Sequence, residues 1–177
     1  MMTRIAACQC GQAALEVAGQ PILAAICHCQ SCQTAGAHLQ SLEGAPPVLG
    51  RNDGTAFMLI RKDRVRCLRG AESLAEYKLK PDSSTRRVVA GCCNTPMFLE
   101  FTKGHWLSVY SDRFEPADKA VPELRTMTRD LRRPIENDEG VPAFATHSPR
   151  FMWRLLLAWA AMGFRAPKVD YVRGSLR

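Results

Sequence analysis

The sequence predicts a mainly β protein of antiparallel character with a helical C-terminal extension. Short runs of aliphatic, β-branched and aromatic residues recur up to Tyr110, and turn residues separate them. Beyond Tyr110 the chain becomes charged and proline-bounded, then ends in an apolar segment of helical type. In order, strands are predicted at 4–8, 13–17, 22–27, 56–60, 64–68, 74–79, 86–89, 97–101 and 106–110. The breaks between them are chemically explicit. Gly11, Gly19-Gln20-Pro21, Gly44-Ala45-Pro46-Pro47, Asn52-Asp53-Gly54, Gly70, Pro81-Asp82 and Lys103-Gly104 each supply a residue that either tolerates a left-handed backbone or fixes φ.

After Tyr110, the stretch 122–142 carries charge and proline, with a short helix expected over 123–131. Ser148 followed by Pro149 is an N-cap with proline at the first helical position, so a helix is expected from Pro149 to about Met162, ended by Gly163. This helix is apolar on nearly all sides. It suits a docked core element, and its flanking Arg150, Arg154, Arg165 and Lys168 also suit a contact with a membrane surface or with a second copy of the chain, a homodimer through the C-terminal helix. The apolar stretch 151–164 contains Arg154 and falls short of the roughly 20 residues that cross a bilayer, so no membrane span is expected. Residues 1–10 hold no apolar run of signal-peptide length, which points to the cytoplasm.

A chain of 177 residues with 46% hydrophobic content can bury a core in one domain. Its net charge of +7 comes from 24 Lys and Arg against 17 Asp and Glu. Seven cysteine thiolates on two zinc ions would add −3 and bring that +7 to about +4. A small anionic substrate accounts for such an excess, and the absence of an arginine-rich run interleaved with aromatics argues against nucleic acid.

The chemistry is expected in the eight cysteines. Separations of one residue, as in Cys8/Cys10 and Cys27/Cys29, put both sulfurs on one side of an extended chain, which suits a shared metal ion better than an unstrained disulfide. Cys8 and Cys10 form one pincer, closed by the turn at Gly11. In Cys27-His28-Cys29-Gln30-Ser31-Cys32 the first two sulfurs share a side and the third returns from the following turn, while His28 points away as a packing or surface residue. Cys67 has no close cysteine neighbour and is expected to be a buried apolar side chain. Three thiolates around zinc leave one position for a fourth ligand, water or substrate. Such an ion carries a net −1 and is a weak Lewis acid towards water, yet it is a good partner for a soft thiol, which it would hold as a nucleophile towards a small carbonyl carbon.

On Cys8-Gln9-Cys10-Gly11, Cys27-His28-Cys29-Gln30-Ser31-Cys32, Gly70, Leu74, Tyr77 and Cys93-Asn94-Thr95-Pro96, the first 110 or so residues resemble the glutathione-dependent formaldehyde-activating enzyme family, to which centromere protein V also belongs. The resemblance implies a zinc-pinned antiparallel β-tent, which takes in residues 1–112; residues 113–177, beyond the match, are expected to form an extension whose helix packs on the same domain. It implies one or two zinc ions: a structural one on Cys8, Cys10 and Cys93, and one tied to activity on Cys27, Cys29 and Cys32. It further implies a carbon–sulfur lyase acting on adducts of a small anionic thiol such as glutathione with an aldehyde such as formaldehyde. The chain departs from the family pattern at the last cysteine pair, where Ala90 occupies the place of a cysteine. Cys92 is the nearest substitute, which requires a turn or bulge because adjacent strand residues face opposite ways. A non-cysteine ligand, a single ion, or Cys92 on the triad ion are the other solutions. Arg51, Lys62 and Arg86 are candidates to orient the carboxylates of the thiol. The competing function is that of a non-catalytic zinc module, a platform for protein or nucleic acid.

Overall fold

The computed structural model describes residues 2–131, 135 and 140–176. Every predicted strand is present: β1 (Thr3–Ala7), β2 (Ala14–Ala18), β3 (Leu23–Cys27), β4 (Thr55–Arg61), β5 (Val65–Arg69), β6 (Leu74–Tyr77), β7 (Thr85–Ala90), β8 (Thr95–Phe101) and β9 (Trp106–Tyr110). Two short strands join them late in the chain, β10 (Leu124–Thr126) and β11 (Gly174–Ser175). The helices are α1 (Gln30–Gln40) and α2 (Pro149–Ala160).

These strands form a three-stranded sheet, ordered β1-β2-β5, and an eight-stranded sheet, ordered β10-β3-β4-β9-β8-β7-β6-β11. All pairings are antiparallel except those at the rims of the larger sheet, where β10 runs parallel to β3 and β11 parallel to β6. The structure is thus mainly β with a C-terminal helix, as the sequence predicts.

Alternation along the central strands shows why the larger sheet is apolar on both faces. On β4, Met58 and Ile60 join a core with Ala6, Leu15, Val17, Val88, Phe98 and Val109, contributed in part by β1 and β2. Phe57 and Leu59, one residue out of step, join a second core on the opposite face with Leu23, Ala25, Tyr110, Phe151 and Leu155. The same parity on β3 sends Ala24 to the first core and Leu23 and Ala25 to the second, so Cys27 at the end of that strand also opens onto the second face.

α2 lies on that second face. Ser148 caps it by accepting from the Phe151 amide at 3.2 Å, with Pro149 at its first position. Its buried stripe is narrow, consisting of Phe151 and Leu155 with Ala158 packed alongside, and the stacking of Trp159 on His105 at 5.7 Å extends the attachment. Met152, Trp153, Leu156 and Leu157 stay exposed. No helix among the described residues is long and apolar enough to cross a membrane.

Two expectations fail locally. The segment 123–131 is no helix: Leu124–Thr126 is a strand with all three residues buried, followed by a single 3-10 turn at Thr128–Asp130. The unpaired edge of β3 takes up this segment, and Met127, at φ +60°, leaves the helical region between the two pieces. The turn expected to return Cys32 is instead the first turn of α1.

Candidate metal centres

The Cys8, Cys10, Cys92 and Cys93 sulfurs meet where the β1–β2 turn approaches the β7–β8 turn, and all lie within 4.8 Å of one another. Sγ separations are 3.5 Å for Cys8–Cys10, 3.8 Å for Cys8–Cys92, 3.4 Å for Cys10–Cys92 and 3.8 Å for Cys92–Cys93. Four sulfurs at about 2.3 Å from a tetrahedral zinc ion stand about 3.8 Å apart, so the spacing fits this ion. Gly11 at φ +75° lets its amide turn back to the Cys8 carbonyl at 2.9 Å, and the Ala13 amide reaches the Cys8 sulfur at 3.2 Å.

Cys92 and Cys93 can both reach the cluster because neither lies on a strand. β7 ends at Ala90, which is paired with Thr95, and the residues between them form the turn. Asn94 takes a φ of +51° there, while its side-chain amide donates to the Glu43 carbonyl at 2.9 Å. The thiols compete for charge in this cluster. Burial together with contacts from Cys10 and Cys8 pushes Cys92 up to about 12. Burial also works against ionisation of Cys93, but the Thr95 hydroxyl and the Cys10 backbone outweigh it and bring this thiol to about 7. Such a group cannot ionise fully without a cation, which a divalent metal supplies. Arg113, half-buried in the adjacent Ser111–Arg113 turn, adds a positive charge within electrostatic reach of Cys93 and Cys8.

Cys27, Cys29 and Cys32 form a second cluster within the same 4.8 Å limit. Cys27 ends β3, Cys29 is the N-cap of α1, and Cys32 lies in the first turn of that helix. The Cys32 amide donates to the Cys29 sulfur at 3.4 Å, so an anion there also faces the positive end of the helix dipole. Hydrogen bonds from Cys27 and Cys32, and more weakly the Arg87 charge, hold the Cys29 thiol far below the usual thiol range. The same contacts have the opposite effect on its neighbours, with Cys27 pushed up to about 12 and Cys32 higher than its ordinary value. Among these three thiols negative charge is thus favoured on Cys29, and binding a metal would displace the remaining protons.

His28 points away from this cluster, as expected. It is fully buried, with Nδ1 3.1 Å from the Asn52 carbonyl. Gly54 makes room for it, since a Cβ at that position would stand 2.6 Å from the imidazole Cε1.

The two clusters differ in what surrounds them. Beside the triad lies a cavity of about 420 Å³. Phe57, Leu59, Leu99 and Trp106 of the large sheet form one wall, Phe151, Met152 and Leu155 of α2 form another, and Met127 and His147 border it from the loops. His147 stacks on Phe151 at 4.7 Å, and its Nδ1 is 3.0 Å from the Thr126 hydroxyl. Partial burial lowers the pKa of His147, opposed by charge on Cys29.

Other predicted residues fall elsewhere. Lys62 is buried and ion-paired to Glu100 at 2.6 Å, and Arg86 bridges Glu100 at 2.7 Å and Glu76 at 3.1 Å. Leu99 lines the cavity, so the next residue, Glu100, and its cross-strand partner Arg86 point to the opposite face. Arg51, on the turn Arg51–Asp53, is also outside the lining. None of these three candidates lines the cavity. Cys67 is only half-buried, against the expectation of a buried side chain. A residue beside the triad that sequence reasoning did not single out is Arg87, which is buried and donates to the Ser31 carbonyl at 2.9 Å and the Ser31 hydroxyl at 2.8 Å.

The family model for glutathione-dependent formaldehyde-activating enzyme matches residues 3–46. No curated protein sequence matches the chain. Among solved structures, a protein from Rhodobacter sphaeroides is 19% identical, with the match covering 71% of this chain and 100% of that one at a TM-score of 0.47. The Cys8/Cys10 pincer and the whole triad lie inside the family segment, and the Cys92–Cys93 turn lies outside it. The similarity to the glutathione-dependent formaldehyde-activating enzyme family thus lies in residues 3–46.

Proposed function

We propose that the protein is a zinc enzyme that makes or breaks a carbon–sulfur bond between a thiol and a small aldehyde, glutathione and formaldehyde being the pair in the family description. The observation that carries this reading is the contrast between the clusters. Four sulfurs complete one coordination shell, whereas three sulfurs border a cavity and leave room for a substrate atom in the other. Cys8, Cys10, Cys92 and Cys93 would hold the structural ion, and Cys27, Cys29 and Cys32 the active one. The active ion, when bound, lets a thiol exist as thiolate at neutral pH. Arg87 offsets the surplus negative charge of a three-thiolate site from behind.

In the addition direction, the sulfur electron pair forms the bond to the carbonyl carbon, and the C=O π pair moves to oxygen, which takes up one proton. The thiol releases one proton, so the sum is a thiohemiacetal with no redox change. Cleavage runs the same path backwards. His147, held by Thr126 on the cavity border, is placed to accept and return that proton.

Cobalt substitution tests the reading. Adding a small thiol to the cobalt-loaded protein should change the sulfur-to-cobalt charge-transfer bands of one of two ions. A spectrum indifferent to every thiol would remove the basis for the enzyme and favour the binding-module alternative, which draws on the exposed apolar side of α2.

A further inference from the structure

We infer that the thiol admitted to the triad carries an apolar body and no carboxylate. This rests on the reading of the triad as a thiol-binding centre and specifies which thiols it serves. Apart from the three cysteines and His147, the described lining of the cavity contains no ionisable side chain: it has no lysine, arginine, aspartate or glutamate. Three cations close in sequence to the lining strands are already engaged. Lys62 and Arg86 lie in the Glu100 network on the other face of the sheet, and Arg87 is tied to Ser31. A carboxylate drawn into this space would lose water and meet, among the described lining residues, a few hydroxyls and His147 but no lysine or arginine, while a hydrocarbon would meet Phe57, Leu59, Leu99, Trp106 and Leu155. The apolar wall from α2 comes from outside the segment that matches the family. A volume of about 420 Å³ is within the usual range for small-molecule sites and exceeds what a one-carbon adduct needs.

A matched pair tests this on the full-length cobalt protein. Butanethiol and 3-mercaptopropionate have similar length, and the second ends in a carboxylate. The charge-transfer change should half-saturate at a concentration at least about tenfold lower with butanethiol than with 3-mercaptopropionate or glutathione. Met152→Arg, at a half-exposed cavity residue that tolerates a charge, should narrow that ratio by several-fold. If glutathione or 3-mercaptopropionate binds as well as or better than butanethiol, the inference fails and the thiol-binding reading survives. If Met152→Arg leaves the ratio unchanged, the cavity wall is not the selector and the inference also fails. If no thiol alters the spectrum, both fall together.

Discussion

Cys29 is the point where helix, strand and buried arginine converge on one sulfur. It caps α1, contacts Cys27 and Cys32, and feels the charge of Arg87. Its replacement should act on the site more than on the fold. Cys29→Ser is expected to lower the metal content from two ions per chain to one and to abolish thiol-dependent activity, with the remaining ion keeping the sheets together. Cys10→Ser opens the four-sulfur cluster that ties the β1–β2 turn to the β7–β8 turn, and structural zinc contributes folding energy on the order of 10 kcal/mol. That variant should therefore lose cooperative unfolding, as read by thermal melts beside metal analysis. Equal outcomes for the two would contradict separate roles. The cysteines were legible in the sequence because two-residue alternation is a local property. Arg86 and Arg87 were not distinguishable, because the strand is buried on both faces and nothing in Arg-Arg-Val-Val tells which face holds the cavity.

At the scale of elements, α2 announced itself through Ser148-Pro149 and a long apolar run, whereas α1 did not. Its buried residues are Cys32, Ala35, Gly36 and Leu39, a helical spacing written mostly in small side chains and scattered among Gln, Ser and Thr. β10 and β11 are too short to register as strands in the sequence, and neighbouring edges recruit them only in the folded chain. The narrow stripe of α2 predicts an unequal response along the helix. Leu155→Ala, in the second core, should cost about 2 kcal/mol in denaturant unfolding and enlarge the cavity. Leu157→Ala, half-exposed on the outer side, should cost less than about 0.5 kcal/mol. Similar losses at both positions would mean that the helix is held by a different face.

For the molecule as a whole, two buried histidines tie stability to pH. Burial lowers the pKa of His28 and of His105 below the ordinary 6.5. The folded state holds both neutral while the unfolded chain binds protons at its usual pKa, so their contribution is complete above about pH 6.5 and is lost as the pH falls through the depressed folded values. Unfolding midpoints should accordingly drop between about pH 7 and pH 5.5, and His28→Gln should show a shallower drop over that interval if it folds. The architecture at this scale was readable because strand-forming runs and turn residues alternate so regularly up to Tyr110. What remained hidden was long-range: which strands would be neighbours, and that the last third of the chain would return to both ends of the large sheet.

That return has a colloidal consequence. An open sheet rim displays unpaired amides and carbonyls that invite a strand from another molecule. Here β10 occupies one rim and β11 the other, each only two or three residues long and laid parallel to its neighbour. The same C-terminal stretch that walls the cavity thus also blunts the flanks of the large sheet, and its removal should make concentrated solutions more prone to zip into fibres.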